Sequence, residues 1–199
     1  MTDNAIRRSQ RLNQITHAAH EQLDKAVKAN APFETLASYT RFLRAQYLFQ
    51  AELKTLYMHP QLIALIADLP DRCRAEQAKA DLLDLQSVIP GPVAGAVEAP
   101  CLAQALGWLF VSEGSKLGAA FLIKRAETLS LSDTYGARHL GEPSGGRAEG
   151  WKRFIRIIDD LPFNAEQERE IDLGAVAAFE RFNVLLQHAY ASASEAEPA

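Results

Sequence analysis

Residues 107–122 read GWLFVSEGSKLGAAFL. The apolar residues of this stretch and its flanks recur at helical spacing, so a long helix is expected from about Leu102 to Thr128. Glycine inside a helix costs about 1 kcal/mol relative to alanine, and this helix carries Gly107, Gly114 and Gly118. Gly114 and Gly118, with Gly107 less well aligned, fall near one face. Such a face lets something flat or bulky reach the backbone. Close helix–helix packing through small residues, with Ala119 and Ala120 in support, explains it equally well at this stage.

The pattern continues on both sides. Upstream, Leu12, Ile15, Ala19, Leu23 and Val27 form the stripe of a first helix, ended by Asn30, Ala31 and Pro32. A second helix runs from about Pro32–Thr35 to Tyr57, its stripe including Leu36, Tyr39, Leu43, Tyr47, Gln50 and Leu53. A short helix over 61–67 follows, and then one from about Arg72 to Leu85 capped by Asp71. Residues 87–100, with three prolines and two glycines, are a loop. Downstream, residues 130–146 form a second loop. A helix over 147–160 ends before Pro162. Asn164 with Gln167 starts the last helix as a capping box, and that helix runs to about Tyr190. No alternating apolar and polar run suggests a strand, and no repeat is visible. The expected fold is all-α, seven or eight helices in one domain over residues 8–190. A flexible N-terminus (1–7) and a disordered, acidic tail (191–199) flank it.

With 199 residues, 48% hydrophobic and 23% charged, the chain has the balance of an ordinary globular domain. A net charge of −4 argues against a nucleic-acid binder. Cys73 and Cys101 lie far apart without CxxC spacing, so neither a disulfide framework nor a zinc site is indicated, and a reducing compartment follows. The start, MTDNAIRRSQ, has no apolar signal-peptide region. Glu113, Ser115 and Lys116 interrupt the longest apolar run, so no transmembrane helix is expected. Together these features point to the cytoplasm.

Several residues suit chemistry. His17 and His20 share a face of the first helix, and Asn13, Thr16, His20 and Asp24 make a polar line beside its apolar stripe. A helical imidazole can ligate haem iron through Nε2 if its Nδ1–H has an acceptor, and Asp24, one turn on, is placed to accept directly or through water. From spacing alone, two solvent-facing histidines are the commoner arrangement. Lys25, Lys28, Lys116, Lys124 and Arg125 form a basic set able to meet carboxylates, although each taken singly reads as surface. Gln46, Gln50, Arg74 and Trp151 are weaker polar candidates. His59, His139 and His188 have no partner spacing and receive no role. No ExxH pair suggests a di-iron site.

At this point the segments match a known family. GWLFVSEGSKLGAAFL resembles the distal helix of bacterial haem oxygenases, and RSQRLNQITHAAHEQLDKAVK resembles their proximal helix. RFLRAQYLFQ and GARHLGEPSGGRAEGWKRF are similar to the family as well, so the resemblance spans about residues 8–190. It implies a haem-oxygenase-like helical bundle with haem between the first helix and a kinked distal helix. It implies His20 as proximal ligand, Asp24 as its acidic partner, and Gly114 and Gly118 as the distal glycines. Animal-type members carry an aspartate after the first distal glycine; here Ser115 stands there, as in the bacterial branch. Gln46, Gln50, Arg74 and Trp151 are then the candidates for holding the distal water.

The resemblance further implies O₂-dependent opening of haem, at once cofactor and substrate, to biliverdin, CO and ferrous iron. Electrons would come from a ferredoxin or flavin reductase, since no flavin or nicotinamide fingerprint is present. No membrane or nucleic-acid partner is implied, and a monomer is expected. Members that cleave at the α carbon tend to hold the haem propionates with a lysine early on the first helix and a tyrosine on the distal helix. Here those positions are Asn13 and Phe110, leaving Lys28, Lys124 and Arg125, which implies a rotated haem and mainly β or δ biliverdin. A non-catalytic haem carrier or sensor would use His20 without needing the distal glycines. A cofactor-biosynthesis or thiaminase-type enzyme on the same bundle would lack the proximal histidine.

Overall fold

A computed structural model describes residues 6–96 and 100–191. Its elements are α1 (Arg8–Ala29), α2 (Leu36–Tyr57), α3 (Pro60–Leu65), α4 (Leu69–Arg72), α5 (Ala75–Asp84), α6 (Leu102–Glu127), a single 3₁₀ turn (Arg138–Leu140), α7 (Arg147–Asp160) and α8 (Ala165–Ala191). Among the described residues there is no strand, only isolated bridges around Ser132. The all-α expectation holds.

Local chemistry accounts for the boundaries. The Thr35 hydroxyl accepts the Ser38 N–H at 3.1 Å and starts α2. Asn164 and Gln167 form the expected reciprocal cap, with side-chain-to-backbone bonds of 2.9 and 3.0 Å. Pro60 occupies the first turn of α3, where a missing N–H costs nothing. The single helix expected over 72–85, capped by Asp71, is instead two helices, with Asp71 inside α4 and a break at Cys73–Arg74. The Gln50 side-chain carbonyl takes the Arg74 N–H at 3.2 Å, and that amide leaves the helical ladder. The short 3₁₀ turn inside the second loop was also not foreseen. The flexible N-terminus and disordered tail lie outside the described residues, except at their inner ends. There the Arg7 N–H is fixed by the Gln10 side chain at 3.1 Å, and Ala191 is still helical.

The core forms around α6, which packs on α2, α7 and α8. Its N-terminal half is enclosed: Ala103, Ala105, Leu106, Trp108, Leu109, Phe110 and Val111 are all buried. Phe49 of α2 meets Trp108 of α6 and Phe182 of α8, at ring-centroid distances of 6.3 and 5.4 Å. Where α6 crosses α8, a Cβ on Gly107 would meet the Ile171 carbonyl and lie 2.6 Å from the Ala175 nitrogen. A Cβ on Gly174 would meet the Gln104 carbonyl. Gly107 therefore serves close helix packing. The most apolar 18 residues of α6 average a hydropathy of 1.2, enough by length and composition to cross a bilayer. In this fold the N-terminal half of the helix lies in the core.

The α1 stripe is only partly covered: Leu12 is fully buried, but Ile15 is 39% exposed. Ion pairs hold the start of α1 down. Arg8 and Arg11 both reach Glu168 of α8, at 2.5 and 2.6 Å, and Ser9 bonds Asp159 of α7 at 2.8 Å. The rest of α1 presents one side to the open.

Gly107→Ala is expected to destabilise the protein by about 1–3 kcal/mol, because the new methyl meets backbone that no rotamer change can move. Gly150→Ala in α7, with nothing within 4 Å of its Cβ position, is expected to be neutral or stabilising. Thermal melts of the two variants measure this; equal melting temperatures would contradict the crossing geometry.

Candidate active site

On α1 the two histidines part company. His17 is exposed and lies 3.5 Å from Glu21 on its own helix. His20 is exposed too, but its ring stands edge-on to Phe179 of α8, with centroids 5.9 Å apart and planes at 73°. The Asp24 carboxylate pairs with Lys28 at 2.6 Å rather than with His20. It is thus one turn from His20 without a direct bond to it. Among the described contacts, neither His20 ring nitrogen has a hydrogen-bond partner.

Further along α6, the same face that packs on α8 becomes bare. At about 100° per residue, Phe110, Gly114, Gly118 and Phe121 fall within an arc of about 80°. Phe110 is buried, with its ring 5.2 Å from that of Trp151 in α7. A Cβ on Gly114 would rest 3.5 Å from the Trp151 ring, an ordinary contact, while one on Gly118 would find nothing within 4 Å. One turn further, Phe121 is 76% exposed. Leaving a phenylalanine in water forfeits about 1.5–3 kcal/mol of burial. The face between Gly114 and Phe121 thus suits a flat, apolar ligand lying against backbone. The two sequence readings of the glycines divide: Gly107 packs a helix, and Gly118 faces space. Ser115 is exposed and donates to the Ser112 carbonyl of its own helix at 2.8 Å.

The basic set is only partly at this opening. Arg125 lies over the Phe33 ring at 5.2 Å, and Phe33 follows the end of α1. The last turn of α6 therefore meets the connection between α1 and α2. Lys116 does not belong there. It is largely buried, donating to the Arg72 carbonyl at 2.6 Å and to the Glu113 carboxylate. Asn13 is exposed and Phe110 is enclosed, so neither is a cation or phenol available to a carboxylate.

Sequence reasoning missed the polar cluster on the opposite side of α6. Glu113, 3% exposed, accepts from the Tyr57 hydroxyl at 2.7 Å, from Arg72 at 2.9 Å and from Lys116. The Tyr57 and Ser112 hydroxyls are 2.8 Å apart, and Gln50 donates to Ser112 at 3.0 Å. Burial beside a carboxylate pushes the Tyr57 phenol well above its usual range. Burial pulls the Lys116 ammonium down, with Glu113 opposing. The available signal was a glutamate inside an apolar run with a lysine three residues on. A second missed pair, His139 Nδ1 to Asp81 at 2.8 Å, is fully enclosed and ties the 3₁₀ turn to α5. Of the candidates for distal water, Gln50 is buried and committed to Ser112 and Arg74, while Arg74 and Trp151 line a cavity beside α6.

Among the described residues, no group of three His, Cys, Asp or Glu side chains could hold a bare metal ion. A single accessible imidazole facing a side-chain-free wall fits iron already held in a flat macrocycle.

Comparison with known proteins agrees. The family model described as Heme oxygenase matches residues 93–188. The chain is 50% identical over 185 residues to Heme oxygenase PigA of Pseudomonas aeruginosa, covering 92% of this chain and 93% of that protein. Its fold matches the NO- and CO-bound heme oxygenase of Neisseria meningitidis with a TM-score of 0.89 at 32% identity, over 94% of each chain. Heme oxygenase 2 of Chlamydomonas reinhardtii, solved without haem, shares the fold at a TM-score of 0.70 and 15% identity, over 92% of this chain and 97% of that one. By full-length identity and by fold, the chain belongs to the haem oxygenase family of enzymes.

Proposed function

We propose that the protein uses O₂ and externally supplied electrons to open haem to biliverdin, CO and ferrous iron. The substrate is seated between α1 and the Gly114–Phe121 face of α6. The observation that carries this is the pairing of an accessible, unpartnered His20 with a helical wall stripped of side chains at Gly118. The iron porphyrin supplies the redox chemistry. His20 would hold the haem iron through its Nε2. Asp24, held in place by Lys28, orients the Nδ1–H through water. Gly114 and Gly118 let backbone approach the ring, and the low wall steers O₂ toward the macrocycle edge.

In this reading the propionates lie toward the C-terminal ends of α1 and α6 and are met by Lys28, Lys124 and Arg125. Charge-assisted contacts of this kind contribute about 1.5–3 kcal/mol each, enough to choose between two in-plane rotations of haem. With Asn13 and Phe110 unable to hold the other seating, the product is β or δ biliverdin. The enzyme works as a cytoplasmic monomer with a ferredoxin or flavin reductase as electron donor, in iron acquisition or in biliverdin supply. A haem carrier or sensor is the alternative. Incubation with haem, reductant and air separates the two: loss of the Soret band with growth of biliverdin absorbance supports the oxygenase, and a persistent Soret band the carrier.

His20→Ala is expected to change the haem spectrum and lower turnover about a hundredfold or more, equivalent to about 2.7 kcal/mol of barrier. His17→Ala stays near wild type. A normal spectrum and rate in His20→Ala, or ligand loss in His17→Ala, would reassign the ligand. Gly118→Leu is expected to keep its helical circular dichroism while losing haem seating or turnover, because its side chain enters open space rather than core; full turnover would remove α6 from the haem face. Chromatography of the product against isomer standards is expected to show mainly β and δ biliverdin, and nearly pure α would refute the propionate placement alone.

A further inference from the structure

The break at Cys73–Arg74 brings Arg74 to the cavity that Trp151 also lines. Trp151 rests 3.5 Å from the Gly114 position, so Arg74 stands beside the wall of the haem slot. Both sides of the break are held by side chains from other helices. The Arg74 N–H donates to Gln50 Oε1 of α2 at 3.2 Å. The Arg72 guanidinium donates to Glu113 at 2.9 Å, and the Arg72 carbonyl accepts from Lys116 Nζ at 2.6 Å. Glu113 and Lys116 bracket Gly114 in α6. Burial lowers the Arg74 pKa, and the nearby Glu113 carboxylate opposes that.

The bonds from Glu113 to Gln50 have a fixed direction. The Glu113 carboxylate only accepts, so the Tyr57 O–H is spent on it at 2.7 Å. The Tyr57 oxygen must then accept from the Ser112 hydroxyl, 2.8 Å away. The Ser112 oxygen in turn accepts from Gln50 Nε2 at 3.0 Å. With its nitrogen turned to Ser112, the Gln50 amide presents its oxygen to the Arg74 N–H. Tyr57, Ser112, Glu113 and Gln50 are all buried, so water cannot replace a lost link cheaply. A donor at position 113 lets the chain reverse, and the Gln50 amide then turns its NH₂ toward the Arg74 N–H, donor against donor.

We propose, on the haem seating given above, that Glu113 is a positioning residue for the reaction. Through Tyr57, Ser112 and Gln50 it sets the amide of Arg74, and through Arg72 it sets the other side of the same break, so that the Arg74 guanidinium keeps its place beside the Gly114 wall. Glu113 itself faces away from the haem and acts through Arg74. The link between the wall and the cation beside it is short, because Glu113 and Gly114 are consecutive residues.

The acid–alkaline transition of the ferric haem complex, followed at the Soret band, reads the electrostatics of the distal side without turnover. A guanidinium close by favours the deprotonated form, so displacing Arg74 raises the transition pH. Loss of the Glu113 charge acting only through space lowers it, so the two effects differ in sign. Arg74→Gln, Glu113→Gln and the uncharged change Tyr57→Phe are each expected to raise the transition by about half a pH unit or more. Tyr57→Phe stands as the independent variant if Glu113→Gln does not fold. Combined with Arg74→Gln, it gives no further shift, because it acts through Arg74. In the haem-free protein, exchange of the Arg74 amide hydrogen is expected to speed up about tenfold or more in Tyr57→Phe. Arg181→Gln, which opens the buried Arg181–Glu52 pair between α8 and α2, leaves the transition at its wild-type pH. A lowered or unchanged transition in Glu113→Gln and Tyr57→Phe, an additive shift in the double variant, or an equal shift in Arg181→Gln would each overturn the proposal and leave the haem seating intact. A wild type that binds no haem would overturn the seating, and this role of Glu113 with it.

Discussion

The crossing of α6 and α8 at Gly107 and Gly174 leaves no room for a side chain on either helix, and the haem-oxygenase fold of this chain depends on that contact. Two glycines let the backbones touch, which costs helix propensity but brings the aromatic cluster of Phe49, Trp108 and Phe182 into register around them. Because the helices are in contact at this point, one face of α6 is core up to Phe110 and an open wall from Gly114 onward. One helix thus serves as both the centre of the domain and the boundary of its ligand slot.

A wall of bare backbone needs support from behind. The Glu113 cluster supplies it on the opposite side, tying α6 to α2 through Tyr57 and Ser112 and to α4 through Arg72. Breaking a buried pair of this kind by removing one partner costs about 3–5 kcal/mol, since the remaining charge stays enclosed. The cluster therefore fixes where Gly114 and Gly118 stand relative to α2 and α4. The α1 helix is held differently, at its N-terminal end, by ion pairs with α8 and a hydrogen bond to α7, and its middle turns, where His20 sits, are largely exposed. That arrangement leaves the imidazole reachable.

Much of the helical plan was legible because it rests on short-range rules. The Thr35 and Asn164 starts, the loop over 87–100 and the limits of α7 follow from residues within a few positions of each other. The exposed His20, one turn from Asp24, was legible for the same reason. Two readings failed at a partner distant in sequence. The helix over 72–85 breaks because Gln50 captures the Arg74 amide. Lys116 leaves the basic set because Glu113 and the Arg72 carbonyl enclose it. Asp24 stands one turn from His20, and its carboxylate pairs with Lys28, four residues on in the favoured direction.

The sequence by itself determined the all-α class, the order of the long helices and the presence of one glycine-marked helix and one histidine-bearing helix. Period, caps and breakers act locally, and resemblance to a family follows the same linear string. Only the tertiary structure decided which glycine packs and which faces space. Gly107 and Gly118 are identical as residues and sit near one face of one helix, yet α8 covers the first and nothing covers the second. What a helical face touches depends on where other helices cross it, and a crossing point is set by long-range packing that no local pattern encodes.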